Sequence, residues 1–333
     1  MTSSHRIAVA GESNVGVARR IAIELCGRLS TDQTVCGKAD IIVTEMARNL
    51  VRHGKGGEMI IRQTLTPAAS NLELLALDRG PGLQNFAEAL RDGFSTTGTA
   101  GNGLGAIKRL SDRFELFSQP GRGTVAWAEL HLSKNDSVTD AFESSGVSVA
   151  IDGERQCGDA WEVLESEGVL RAMVVDGLGH GSFAEEAARE ALAVFRVEAG
   201  SGAGATLQLI DKALTKTRGA AGAIAELDPK KGSVTIAGVG NVSARLLYDG
   251  QSKSFGSDNG TLGTGVRKVS EFCHPWTPGC LLVMHSDGMK TRWSLDDYPG
   301  ILRKSPGLIA GLLYRDFRRG GDDATVIVVR HRL

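Results

Sequence analysis

The stretch Met173-Val174-Val175-Asp176-Gly177-Leu178-Gly179-His180-Gly181 decides the fold. Three apolar residues, Met173 to Val175, read as the end of a buried strand. A carboxylate stands at the strand's exit, followed by glycines that let the backbone approach something closely. Ala184 to Phe195 continues as an apolar-rich helix. The same setting recurs along the second half of the chain. Leu281 to Gly288 is again a strand ending in Asp-Gly, Gly321 to Val329 is a carboxylate pair entering a strand, and Cys157 to Trp161 places Asp159 upstream. A single Asp-Gly is ordinarily a turn. Four such carboxylate sites, each beside an apolar strand, point instead to hard cations such as Mg²⁺ or Mn²⁺, which take oxygen ligands from several rigidly held segments.

Gly158-Asp159, Asp176-Gly177-Leu178-Gly179-His180-Gly181, Ser286-Asp287-Gly288 and Asp322-Asp323-Ala324-Thr325 resemble, in kind and order, the motifs of the SpoIIE/RsbX-type serine/threonine phosphatases of the wider metal-dependent PPM family. The resemblance spans roughly residues 146–333. It implies an α-β-β-α sandwich with a binuclear centre, in which two divalent ions bridged by one carboxylate and a hydroxide attack phosphoserine in line. By motif position Asp176 is the bridging, catalytically essential ligand and Gly177 supplies a backbone carbonyl. Asp159, Asp287 and Asp322 complete the implied set. Asp323 reads either as a ligand or as a turn or strand-start acceptor. His180 reads either as a general acid or as a helix-start residue, and Asn241 as loop geometry. Glu162 stands where many relatives carry a further Asp, a departure that bears on a third ion.

With 333 residues, two domains are expected. Hydrophobic residues make up 41% and aromatics only 5%, which suits cores of Ala, Val, Leu and Ile. The net charge of -1 is split between a front half of about +3 and a rear half of about -4. Neither value suggests a nucleic-acid surface. The five cysteines show no Cys-x-x-Cys spacing and read as reduced thiols of a cytoplasmic protein. No long apolar run or signal-peptide pattern is present, so no membrane insertion is expected.

In the front half, His5 to Ala10 reads as a strand and Val17, Ile21, Leu25 and Leu29 mark an amphipathic helix. In the next helix, Lys38 to His53, the buried face is Ile42, Val43, Met46, Ala47 and Leu50. Glu45, Asn49, Arg52 and His53 fall on the opposite face. Alone, that stripe is a solvated helix face. Glu58 to Leu65 and Leu72 to Leu77 read as strands, the second ending in Asp78-Arg79-Gly80-Pro81-Gly82. A polar, flexible lid, Asp92 to Asn102, leads to Gly101-Asn102-Gly103-Leu104-Gly105 and a helix, Ala106 to Leu110. Glycines that open a helix suit phosphate. Arg113 to Phe117 and Thr124 to Leu132 read as closing strands.

Glu45-x-x-x-Asn49, Asp78-x-Gly80-x-Gly82 and Gly101-x-Gly103-x-Gly105 resemble the N, G1 and G2 boxes of the GHKL (Bergerat) ATP-binding fold. The continuation Leu104 to Glu115 resembles the RsbT/RsbW/SpoIIAB branch, small serine kinases of bacterial partner-switching systems. The likeness covers roughly residues 5–132 and implies a site for ATP with one Mg²⁺. Asp78 would accept from the adenine amino group, and Gly80 and Gly82 would pass close to the base. Asn49 would hold the Mg²⁺, and Gly101, Gly103, Leu104 and Gly105 would cradle the phosphates. Glu45 would be the general base toward a serine hydroxyl or water. Ser133 to Ser145 is polar and reads as the join. The expected division is therefore 1–133, a linker 134–145, and 146–333, with residues 1–133 able to bind ATP alone. The implied function is a bifunctional kinase and phosphatase acting on a STAS-type phosphoprotein. A homodimer is compatible with it. Two alternatives stay open: a phosphatase with an ATP-sensing front half, and a non-enzymatic module that binds a sigma factor or scaffold.

Overall fold

The computed structural model describes residues 4–30, 32–65, 69–83, 103–134 and 141–332. The expected lid at 92–102, Gly101 included, lies outside these residues. By its internal contacts the chain forms two units. A front unit holds Ser4–Thr139 together with Leu295–Arg315, and a rear unit holds Asp140–Ser294 together with Asp316–Leu333.

The front unit is built on one antiparallel sheet of β1 (His5–Val9), β2 (Gly57–Leu65), β3 (Ala69–Leu77), β4 (Arg113–Gln119) and β5 (Gly123–Lys134), ordered β1-β2-β3-β5-β4. Three helices cover one face: α1 (Glu12–Leu29), α2 (Gln33–Arg52) and α3 (Gly103–Leu110). The Asp32 carboxylate caps α2 by accepting from Thr34 N at 2.8 Å. The face of α2 expected from its periodicity, Ile42, Val43, Met46, Ala47 and Leu50, is buried. It packs in one core with Met59, Ile61, Leu72, Leu74, Ala126 and Ala128. Those strand residues alternate, as a period of two requires.

The alternate set, Ile60, Leu75, Leu77, Val125 and Trp127, is buried as well. The strands therefore bury both faces, which explains the nearly unbroken apolar run in Leu72 to Leu77. The helix α6 (Pro306–Phe317) approaches this second face within the front unit. A Cβ at Gly311 would lie 2.7 Å from a Leu75 methyl, and one at Gly307 would collide with the Trp127 indole. Only glycine allows so close an approach. Every residue of α6 from Pro306 to Arg315 is buried, as an all-round apolar helix requires. Ser305 N donates to Glu115 Oε2 at 2.7 Å and Gln119 Nε2 to the Asp297 carbonyl at 2.9 Å, anchoring the chain that leads into α6.

The rear unit stacks two antiparallel sheets. The first is ordered β13-β10-β9-β8-β7 and contains β7 (Asp159–Ser166), β8 (Val169–Gly177), β9 (Ala220–Asp228), β10 (Ser233–Val239) and β13 (Glu271–Pro275). The second is ordered β12-β11-β14-β15-β6 and contains β6 (Phe142–Val149), β11 (Ser243–Tyr248), β12 (Gln251–Phe255), β14 (Leu281–His285) and β15 (Ala324–His331). Leu170, Ala172, Val174, Ala223 and Ile236 meet Leu246, Leu282, Met284 and Ile327 between the sheets. On the outer face of the first sheet, α4 (Ser182–Glu198) and α5 (Ala203–Ala213) pack Ala188, Leu192, Phe195, Leu207 and Ile210 against Met173, Val175 and Ile224.

Two boundaries differ from the sequence reading. The stretch taken as linker, 134–145, overlaps both its neighbours: Lys134 closes β5, and Phe142 to Ser145 pair with Val328 to His331 of β15. Being an edge strand, β6 tolerates the polar residues that made it look like a join. Residues 295–315, placed in the second domain, group with the front unit.

A fragment of residues 1–133 lacks α6 and should expose the second face of its sheet. Trp127, its only tryptophan, should emit as a solvated indole, and the fragment should self-associate more strongly than the full chain in sedimentation velocity. A monomeric fragment with blue-shifted emission would show that the sheet does not need this cover.

Candidate active sites

In the rear unit, Asp159 and Asp176 stand directly opposite one another on β7 and β8. The second sheet brings the remaining acids to the same end. Asp287 follows β14, Asp322 and Asp323 precede β15, and those two strands pair. A hydroxyl chain joins the sheets beneath the acids. Ser286 Oγ accepts from Thr325 N at 3.0 Å and donates to Asp159 Oδ2 at 2.6 Å. Thr325 Oγ1 donates to Ser148 Oγ at 2.7 Å, and Ser148 Oγ to the Asp159 carbonyl at 3.3 Å.

Asp322 and Asp323 have different surroundings. Asp323 is buried, and its two oxygens accept from Ile151 N at 2.7 Å and Gly158 N at 2.6 Å. Asp322 is exposed and accepts from Asp323 N at 2.9 Å. Asn241, read from the sequence as loop geometry, donates from Nδ2 to Asp287 Oδ2 at 2.7 Å and so orients that carboxylate. His180 Nδ1 lies 2.9 Å from Glu154 Oε1 on the exposed rim. Glu162 pairs with Arg196 at 2.8 Å.

The electrostatics follow from burial and like charge. Desolvation, then the charges of Asp287, Asp322 and Asp323, push Asp176 up to about 7. Burial and Asp176 push Asp159 well above the carboxylate range, and burial raises Asp323. Ionising such a set is costly unless positive charge joins it. The donors are all oxygen, which suits a hard divalent cation, so the residues fit the implied metal. Among the described residues no three of these acids stand close enough together to form a ready-made coordination shell. Backbone must also pass close by: a Cβ at Gly177 would collide with the Ala184 carbonyl at the start of α4.

In the front unit, the first turn of α3 faces α2. A Cβ at Gly103 would lie 2.8 Å from Glu45 Oε2 and 3.8 Å from Asn49 Oδ1. Glu45, Asn49 and the glycine opening of α3 are thus together, and Leu104 and Gly105 follow in the same turn. Arg48, not singled out from the sequence, reaches Glu45 Oε1 at 3.7 Å. Asp78 is buried at the end of β3. Its Oδ1 accepts from Gly80 N at 2.8 Å and Thr124 N at 3.1 Å, yet burial outweighs these bonds and raises its carboxyl. Gly80 and Gly82 follow directly, Gly80 against the Gly54 backbone and Gly82 against Gln119. Arg315 was also missed, since no local pattern marks it. It lies in α6 and donates from Nη1 to the Asp78 carbonyl at 3.0 Å.

Fold and sites together define a two-domain protein in which a GHKL-type ATP-binding domain precedes a metal-dependent-type phosphatase domain. The chain belongs to the SpoIIE family (Stage II sporulation protein E), which it matches over residues 166–332; residues 9–129 match the histidine kinase-like ATPase domain. It is 30% identical over 124 residues to the serine/threonine-protein kinase RsbT of Bacillus subtilis (strain 168), covering 37% of this chain and 93% of RsbT. It is 25% identical over 140 residues to the phosphoserine phosphatase RsbX of the same organism, covering 41% of this chain and 70% of RsbX. A solved chain from the bacterial stressosome, described as a modular system adapted to control secondary messenger signalling, is 30% identical. The match has a TM-score of 0.53 and covers 57% of this chain and 99% of that one. RsbX in complex with magnesium shares the fold at 22% identity and a TM-score of 0.50, over 59% of this chain and 98% of that one. Among the described residues no helix is long and apolar enough to cross a membrane.

The raised Asp176 carboxyl gives a pH prediction. A carboxyl raised on folding favours the folded state in acid, and that contribution is lost as pH rises through the folded value, here about 7. The metal-free protein should therefore lose on the order of a few kcal/mol between about pH 4 and pH 8. Asp176→Asn should flatten this difference in thermal melts, and Mn²⁺ should restore stability to the wild type at pH 8. A mutant whose stability falls with pH as steeply as the wild type would contradict it.

Proposed function

We propose that the chain is a cytoplasmic, bifunctional regulator of a bacterial partner-switching system. The rear unit removes phosphate from a serine or threonine of a STAS-type protein, and the front unit places phosphate on the same protein or a related one. The observation that carries the phosphatase half is the gathering of Asp159, Asp176, Asp287, Asp322 and Asp323 at one end of the stacked sheets. In this reading Asp176, Asp159, Asp287 and the Gly177 carbonyl would hold Mg²⁺ or Mn²⁺, Asp176 as the shared ligand, and Asn241 keeps Asp287 oriented for it. Exposed Asp322 is the better placed of its pair to ligate. Asp323, with both oxygens already accepting from backbone N–H groups, supports the loop that carries Asp159. When bound, the ions supply a hydroxide nucleophile at neutral pH.

In the front unit, Asp78 would receive the adenine amino group, Asn49 would hold the Mg²⁺ of ATP, and Gly103, Leu104 and Gly105 would line the phosphates. Glu45 takes the proton of the incoming serine hydroxyl. Its position beside Gly103 supports a base near the transferred phosphate.

Turnover of a phosphoserine peptide should require Mn²⁺ or Mg²⁺ and should vanish in Asp176→Asn, because a neutral amide cannot replace a bridging carboxylate. Undiminished activity after exhaustive chelation would exclude the assignment.

A regulatory role for the front unit is favoured by one contact. Arg315 holds the Asp78 carbonyl, and the next eight residues of the chain reach Asp323. Nucleotide at Asp78 can therefore bear on the segment that delivers the acids. With Glu45→Ala, which should bind ATP without transferring phosphate, the phosphatase rate should change about 5- to 150-fold between ATP and no nucleotide, the usual range of coupling. A rate indifferent to nucleotide at fixed free metal would remove the coupling and leave both activities standing.

A further inference from the structure

Arg218 stands by the turn that follows Asp176, and the proposed chemistry does not use it. It immediately precedes Gly219 and β9, and its backbone is fixed. Leu178 N donates to the Gly219 carbonyl at 3.0 Å, Gly219 N to Thr217 Oγ1 at 3.0 Å, and Thr217 Oγ1 to the Leu214 carbonyl at 2.8 Å. The segment is thereby tied to the turn that leaves β8, two residues past Asp176. The guanidinium lies over that turn, with Nη1 3.1 Å from where a Cβ of Gly179 would stand. It rests on the Phe183 ring at 4.9 Å from the centroid. Arg218 is exposed and, among the described residues, has no hydrogen bond or ion pair from its side chain. Glu154, an acid on the same rim, is engaged by His180. Phe183 and Leu178 are themselves 59% and 43% exposed, two apolar side chains in the segment that follows Asp176.

An exposed arginine on an aromatic ring is common as surface packing. Its place here argues for more. A guanidinium held over an aromatic ring keeps its N–H donors for oxygen acceptors, and its fork suits phosphate. A phosphate dianion arriving beside several carboxylates needs positive charge from a direction the acids do not occupy. Here that charge is prepositioned, without an acidic partner to displace.

We propose that Arg218 binds the phosphate of the substrate phosphoserine or phosphothreonine, with Leu178 and Phe183 forming a shelf for an apolar side chain that flanks it. This rests on the phosphatase reading and deepens it. The substrate class is a phosphorylated protein segment with an apolar neighbour to the phosphoresidue. Arg218 is a substrate-binding residue; the hydrolytic chemistry belongs to the acids and their ions.

The test uses the full-length protein with Mn²⁺, a phosphoserine peptide carrying a flanking leucine, and inorganic phosphate as a competitive inhibitor. Arg218→Ala should raise both KM and the phosphate inhibition constant about tenfold or more, with the Mn²⁺ concentration dependence unchanged. Arg218→Lys should recover part of both, since it restores charge without the fork. Phe183→Ala should raise KM for the leucine-flanked peptide but not for a chromogenic phosphate ester. An active Arg218→Ala enzyme with wild-type KM and phosphate inhibition would overturn the clamp, and a Phe183→Ala enzyme that treats both substrates as the wild type does would overturn the shelf. A wild type without metal-dependent turnover would bring down the phosphatase reading, and this assignment with it.

Discussion

Two carboxylates are held face to face across neighbouring strands, and much of the rear unit exists to keep them there. Asp159 and Asp176 occupy one antiparallel register position, so neither can retreat without breaking the β7–β8 ladder. Their repulsion is confined by a scaffold that is strong where it touches them. Ser286, Thr325 and Ser148 form a hydroxyl relay from the second sheet to Asp159, and each hydroxyl is buried with its partners. A buried polar network of this kind resists rearrangement because every broken bond leaves an unsatisfied group. The site is thus charge-strained in electrostatics and rigid in backbone, the combination that favours cation capture over collapse.

The front unit solves a different problem with the same residue type. Asp78 is a buried acid whose Oδ1 is held by two backbone N–H groups, so its direction is set before any ligand arrives. Burial still raises it. A hydrogen-bond donor such as an amino group then meets an acceptor that is preoriented and poorly hydrated. One buried carboxylate suits a neutral donor; several at a strand end suit a cation.

Much of this was legible from residue order. Apolar runs that end in Asp-Gly, and a helix with Glu45 and Asn49 four residues apart, carry local signals, because strand exits and helix faces are set by near neighbours. What was not legible depends on distant partners. Asn241 looked like a loop residue because its bond to Asp287 spans 46 positions. Strands β12 and β13 are largely exposed at sheet edges and show no apolar alternation. Phe142 to Ser145 looked like a join because an edge strand need not be apolar. The place of residues 295–315 was hidden for the opposite reason: an apolar helix declares that it is buried, but not against which sheet.

The position of α6 has a consequence for how the protein is made. The front unit is complete only when Leu295–Arg315 has joined Ser4–Thr139, yet the ribosome delivers the first segment long before the second. At about 5–20 residues per second, the nascent sheet waits roughly ten seconds or more with Leu75, Leu77 and Trp127 uncovered while the chain of the rear unit is still being added. The ATP-binding unit is therefore finished only after residues 295–315 have been made, which follow most of the rear unit along the chain.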